Sequence, residues 1–268
     1  GYELREGVVF ATNWFDIIFN PSMPYRFVHM LLASGLTVAF LIAGISALRM
    51  LWGDKGEDVK SALRVGIIAA AALIPIQILA GDMHGLNTLE HQPAKIAAME
   101  GNWETGPNTP LVLFAIPDQA ARENRFEIGI PNGASLILKH KASGVVPGLN
   151  DFTAQDGTVM HPRVAPVFFS FRIMIGTGVA MLLLSWTGLL LLRKYGAGHM
   201  PRLPLYAFCA MSFSGWIATL AGWYTTEIGR QPWLVQGVLM TKDAVSDVSA
   251  GMVLGTLIGY LVIYATLI

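Results

Sequence analysis

Two charged side chains near the end of a long apolar run, Glu227 and Arg230, pose the chemical question of this chain. The run extends from about Leu203 to Ile228. Charges at the edge of a hydrocarbon layer are costly unless they pair, ligate something or reach water. Trp223 and Trp233 flank them, either as interfacial anchors or as platforms for a flat cofactor. Pro232 follows as a turn. An anchoring role accounts for the tryptophans but not for a carboxylate one helical turn after Trp223.

Other polar groups lie inside apolar runs. His29, four residues after Tyr25, is read as a haem or metal ligand, a proton carrier or a hydrogen-bonded residue between helices. Arg172 and Met174 lie about ten residues into another run. A buried arginine needs anions, which haem propionates or a carboxylate on another helix would supply. Met174 either fills a packing gap or acts as a soft ligand, and a His/Met pair on haem iron makes a low-spin, electron-transferring centre. Lys95 and Glu100 fall in a stretch of helix formers, 94–100. A cation that orients an oxygen and a carboxylate that accepts a proton suit a quinol. From spacing alone, solvated surface charge is the favoured reading of the pair. His84, Glu90 and His91 lack a third ligand at helical spacing and make a weak metal site.

The composition says what positions these groups. Of 268 residues, 53% are hydrophobic and 13% charged, against about 25% charged in soluble domains, so the chain reads as a membrane protein. The formal net charge is zero and no basic run suits nucleic acid. The single cysteine, Cys209, excludes an internal disulfide and a cysteine-held iron or zinc site. A helix needs roughly 20 apolar residues to span a bilayer. Five segments meet or approach this: about Tyr25–Leu51, Ala62–Ala80, Val164–Leu192, Leu203–Ile228, and Val248 to the end. The expectation is an all-α, multi-pass transmembrane helix bundle with a long extracytoplasmic loop. Its parts are an outer-surface segment with a short interfacial helix (1–23), spans one and two (24–82), the loop (83–163) and spans three to five (164–268). Within the first part, the apolar stretch Val8–Phe19 is too short to cross and is expected to lie along the surface.

Arg49, Lys55, Lys60 and Arg64 between spans one and two, with Arg193, Lys194 and Arg202 between three and four, place those connections in the cytoplasm. His29, Met174 and Glu227 then share one outer layer beside the loop. At about 80 residues the loop exceeds a mere connector. It holds Trp103, Phe114, Phe126 and Ile130 between turn signals and is expected to fold over the membrane surface.

Several strings in order resemble subunit I of the bacterial cytochrome bd-type quinol oxidases. They are Asn20-Pro21 through Arg26–His29, Gly81-Asp82, Lys95–Glu100 with Trp103–Thr105, Arg163–Pro166, Phe171–Met174 and Gly229–Trp233. Together they cover essentially the whole chain. The resemblance implies that His29 and Met174 are the axial ligands of haem b558. It implies that Glu227 is a ligand of a high-spin haem, b595 or d, where a second high-spin haem b is the alternative to d. Arg172 and Arg230 would stabilise haem charge, and Trp223 would lie between haem centres. Lys95 and Glu100 match residues of quinol oxidation in the family's quinol-binding loop, with ubiquinol or menaquinol as substrate and oxygen reduced to water. The implied partners are subunit II, with a small single-helix subunit as a further candidate, and membrane lipid. The implied location is the bacterial cytoplasmic (inner) membrane with the loop outside.

The family has further helices before position 1, carrying another haem ligand and proton-path carboxylates. With Gly1 in place of Met and an end inside an apolar run, Ala265–Ile268, the chain reads as a fragment cut at both ends, and without those helices it is not expected to reduce oxygen alone. Its loop matches the shorter of the family's variants. Two other classes remain at this point: a transporter using His29, Arg172 and Glu227, though no inverted repeat is evident, and a structural membrane subunit without cofactors.

Overall fold

The computed structural model describes residues 2–6, 8–244 and 247–267. Strands β1 (Tyr2–Arg5) and β2 (Val8–Ala11) form an antiparallel hairpin, followed by a short helix, α1 (Trp14–Ile18). The apolar stretch from Val8 to Phe19 is thus divided between strand and helix. The division falls at Asn13, whose side chain accepts the Phe15 N–H at 2.9 Å and so caps the helix.

Among the described residues, five segments are long and apolar enough to cross a membrane. The first two are α2 (Met23–Leu51) and α3 (Glu57–His91). At 1.5 Å per residue, the 35 residues of α3 run to about 52 Å, well beyond a hydrocarbon core of about 30 Å. Its last turns therefore extend past the apolar layer and carry Asp82, His84, Glu90 and His91. After one residue, Gln92, the chain enters α4 (Pro93–Glu100). Pro93 suits a first helical position because its missing N–H would have had no helical partner there.

The rest of the loop is not purely helical. An antiparallel hairpin, β3 (Leu111–Asp118) and β4 (Glu123–Ile130), leads to a short helix, α5 (Gly133–Lys139). Val112 and Ala115 of β3 pack on Phe168, while Ile96 and Ala97 of α4 form, with Trp103, Val146 and Leu149, a small core on Val164 and Val167 at the start of the third span.

That span is α6 (Val164–Tyr195). The fourth was expected as one continuous helix, but it is divided into α7 (Arg202–Ala210) and α8 (Ser214–Arg230). No proline marks the break. Ser212 and Ser214 donate to the Cys209 and Met211 carbonyls at 2.7 Å each, offering the backbone an alternative to the helical ladder. Strands β5 (Trp233–Val235) and β6 (Leu239–Met240) follow, then the fifth span, α9 (Ala250–Leu267), which contains no buried residue.

The main core lies where α2, α3 and α7 meet, around Phe40, Leu63, Ile67 and Phe208, each fully enclosed. Glycine makes the close approach possible: a Cβ on Gly66 would stand 2.8 Å from the Ala39 carbonyl oxygen and the Ala43 nitrogen. This apolar half anchors the helices whose opposite ends carry the polar groups.

Candidate functional site

The loop-side ends of α2, α3, α6 and α8, together with α4, bring the polar groups of the sequence into one layer. By its rise, α2 places His29 about 9 Å below its first residue, and α6 places Met174 about 15 Å below Val164. His29 Nε2 lies 3.2 Å from Gln77 Nε2 of α3, and its ring centroid stands 5.6 Å from that of His84. Gly81 completes this wall, since a Cβ there would come within 3.2 Å of His29 Cε1. Met174 makes a separate contact. Its sulfur faces Gly222 of α8, where a Cβ would be 2.9 Å away. His29 is therefore presented against the second span and Met174 against the fourth.

Glu227 and Arg230 form an ion pair one turn apart at the end of α8, each partly exposed. Trp223, one turn earlier, is half exposed and tilts against Tyr224. Lys95 reaches this group from the loop, its methylenes crossing Gly229 so closely that a Cβ there would lie 2.9 Å from Cγ. The loop charges are not solvated: Lys95 and Glu100 are each only 6% exposed. Burial, then the positive fields of Arg26 and Arg230, pushes the Lys95 ammonium down to about 8, with Glu227 opposing. Burial pushes the Glu100 carboxyl up to about 7, and the Arg172 charge opposes it.

Glu100 owes its position to a helix stop. Gly101 ends α4 in the left-handed conformation (φ +70°), the usual glycine C-cap, and it presses on the Phe168 ring. Beyond it, Asn124 of β4 donates to the Gly101 carbonyl at 2.8 Å and accepts from Trp103 Nε1 at 3.0 Å, locking the turn. From α6, Arg172 donates to the carbonyls of Met99 (2.5 Å), Glu100 (3.4 Å) and Phe168 (3.2 Å), and to that of Val112. Its guanidinium also lies 3.3 Å over the Phe168 ring. Arg172 thus ties the loop to the third span through backbone oxygens rather than through a carboxylate on another helix.

Polar groups without partners concentrate here. Among the described residues, His29 Nδ1, Gln77 Oε1, Glu100 Oε2, Arg172 Nε and Arg230 Nε are buried with no hydrogen-bond partner; outside the layer only Gln92 Oε1 and Thr153 Oγ1 share that condition. Each such atom is destabilising in a low-dielectric interior. Their clustering marks a place shaped to receive something polar or metal-bearing. The donor set, an imidazole, a thioether, a carboxylate beside arginine and a flat indole, fits an iron porphyrin. No group of three His, Cys, Asp or Glu among the described residues is arranged for a bare metal ion. His91 instead bonds back to the Asn87 carbonyl at 2.9 Å. Sequence reasoning passed over Gln77, named Arg26 only within the string that ends at His29, and saw His84 only as part of a weak metal set. A polar glutamine within an apolar span was the available signal for Gln77.

The family model for cytochrome bd terminal oxidase subunit I matches residues 1–268. The chain belongs to that family. It is 32% identical to the cytochrome bd ubiquinol oxidase subunit 1 of Bacillus subtilis (strain 168), over 100% of this chain and 58% of that protein. It is 27% identical to the cytochrome bd-II ubiquinol oxidase subunit 1 of Escherichia coli (strain K12), over 92% of this chain and 60% of that one. The fold matches the bd oxidase structure from Geobacillus thermodenitrificans with a TM-score of 0.86 and 29% identity, covering 100% of this chain and 60% of that chain. The chain thus spans somewhat over half the length of these relatives. Membership makes it a membrane protein of a haem-containing oxidase family, and its bundle is the all-α, multi-pass architecture expected from the hydropathy.

Proposed function

We propose that this chain is the quinol-oxidising, haem-binding part of a terminal respiratory oxidase subunit in a bacterial inner membrane, with its loop on the outer side. The observation that carries this reading is the buried pair Lys95 and Glu100, joined through Arg172 and the end of α8 to the layer of unpartnered polar atoms. A carboxyl near 7 exchanges its proton at neutral pH, as a general base should. Glu100 takes the proton of one quinol hydroxyl. Lys95, still mostly charged at pH 7, donates to an oxygen of the same ring and fixes its orientation. Arg172 holds the carbonyls around Glu100, so that the carboxylate stays beside α6 through proton uptake.

His29 and Met174 would hold haem b558, and Glu227, with Arg230 and Trp223 beside it, a high-spin haem, b595 or d or a second haem b. When bound, these haems supply one-electron carriage from quinol towards oxygen. The remaining family helices, subunit II and a small single-helix subunit complete the enzyme. The relatives' printed names include ubiquinol, and either ubiquinol or menaquinol suits the Lys95–Glu100 chemistry.

The reading is tested by the reduced-minus-oxidised spectrum of the full complex. A low-spin b-type band is expected, lost in both His29→Ala and Met174→Leu at normal protein levels. An unchanged band in either variant overturns the ligand assignment. A wild-type complex without any haem band overturns the haem-binding reading.

A further inference from the structure

Two arginines at the bundle end away from the loop take no part in the chemistry above. In α3, Pro75 has no N–H to give to the carbonyl of Ala71 four residues earlier. Trp186 Nε1 of α6 donates to that carbonyl instead, at 3.1 Å. The indole therefore pins the two antiparallel helices together at this level. Seven residues from Ala71 towards Glu57 lead to Arg64, and seven from Trp186 towards Tyr195 lead to Arg193. Seven residues make nearly two helical turns and about 10 Å of rise. Both arginines thus return to the pinned face at a common depth.

Between the pin and the arginines the helices flank an open groove of about 440 Å³. Ile68, Ala71, Ala72, Leu189 and Leu192 line it, together with Arg64 and Arg193. Among the described residues, no acidic side chain lines the groove. Neither arginine forms an ion pair among the described residues, and the nearby Glu57 is engaged by Lys60 at 2.8 Å. An apolar trough ending in two cations that no ion pair engages, with Glu57 only in the field of Arg64, complements one kind of molecule, an amphiphile with a net negative head. Guanidinium groups take phosphate oxygens in charge-assisted, bidentate fashion, and basic pockets between spans are a recognised setting for anionic headgroups.

We propose that this groove binds an anionic glycerophospholipid, its phosphate between Arg64 and Arg193 and an acyl chain along Ile68, Ala72, Leu189 and Leu192. The site stands apart from the quinol reading, and either can fail without the other. A zwitterionic lipid is disfavoured because its own ammonium competes with the arginines for the phosphate.

The test uses the full oxidase complex, delipidated in detergent and titrated with dioleoyl phosphatidylglycerol or dioleoyl phosphatidylcholine, with bound lipid counted by native mass spectrometry. One phosphatidylglycerol is expected to be retained per complex, in preference to phosphatidylcholine. Arg64→Gln with Arg193→Gln is expected to weaken its binding about 30-fold, at roughly 5-fold per cation. Ala72→Phe, which fills the exposed trough and keeps both charges, is expected to lower retention as well. The haem spectrum of each variant verifies assembly. The proposal is overturned by equal retention of the two lipids, by an unchanged affinity in the double variant, or by a wild-type complex that takes up no lipid because another segment closes the groove.

Discussion

The two halves of the helix bundle are built on opposite rules. In the half away from the loop, Phe40, Leu63, Ile67 and Phe208 are sealed in the core, where Gly66 and Gly188 leave no room for a Cβ. In the half beneath the loop, an imidazole, a carboxyl and two arginines keep buried atoms without partners. The first arrangement lowers the energy of the fold by close packing. The second raises it locally, by an amount on the order of 1–3 kcal/mol for each orphaned group. The close-packed half holds the helices in place while the polar half is left ready for ligands. A change in one half should therefore alter assembly, and a change in the other should alter chemistry.

The sharpest separation comes from substituting one residue in each half. His29→Ala is expected to abolish the low-spin haem band while leaving the amount of assembled subunit near wild type. Gly66→Val should do the reverse. Its side chain would meet the backbone of Ala39 and Ala43, an overpacking that costs about 1–3 kcal/mol. Quantitative blotting against haem content reads both effects, and proportional losses in both variants would erase the contrast between the halves.

Lys95→Met is expected to slow quinol oxidation by roughly 10–100-fold, the range for losing one charge-assisted hydrogen bond. The loss should appear mainly in kcat/KM, measured with intact haem. A wild-type value would return Lys95 to the role of a packing residue.

A smaller effect concerns pH. Glu100 must be ionised to accept a proton, so quinol oxidation should decline as pH falls below about 7. Lys95 must be charged to donate, so the rate should also decline above about 8. A bell with these limbs is expected in steady-state assays, and Glu100→Gln should remove the acid limb. An acid limb that persists in that variant assigns it to another group.

The smallest change expected is for Ser170→Ala, which removes the 2.9 Å hydrogen bond to Thr225 between α6 and α8. Thr225 keeps its bond to the Ala221 carbonyl, so the thermal midpoint should shift by about 1 kcal/mol of stability, with the haem bands unchanged.

Much of this architecture was readable from residue order. The apolar runs marked every span, because hydrocarbon length dictates helix length. The polar interruptions His29, Arg172 and Glu227 stood out against leucine-rich surroundings. The break in the fourth span was not readable. It depends on Ser212 and Ser214 bonding to their own helix at a point where Gly44 and Gly215 bring backbones together, and this is decided by tertiary contact. The hairpin in the loop was missed because β3 alternates poorly, carrying two register irregularities against β4. Lys95 and Glu100 looked like surface charges since α4 is short. Only the fold reveals that the helix is sandwiched between the ends of α3, α6 and α8.

The most direct measurement compares two electron donors in the assembled Glu100→Gln oxidase by stopped-flow spectroscopy. Haem reduction by quinol should slow by about 10²–10⁴-fold, the range for losing a general base. Reduction by a small artificial donor that needs no proton acceptor should keep its wild-type rate. Equal slowing with both donors, or no slowing with quinol, would contradict a quinol site at Glu100.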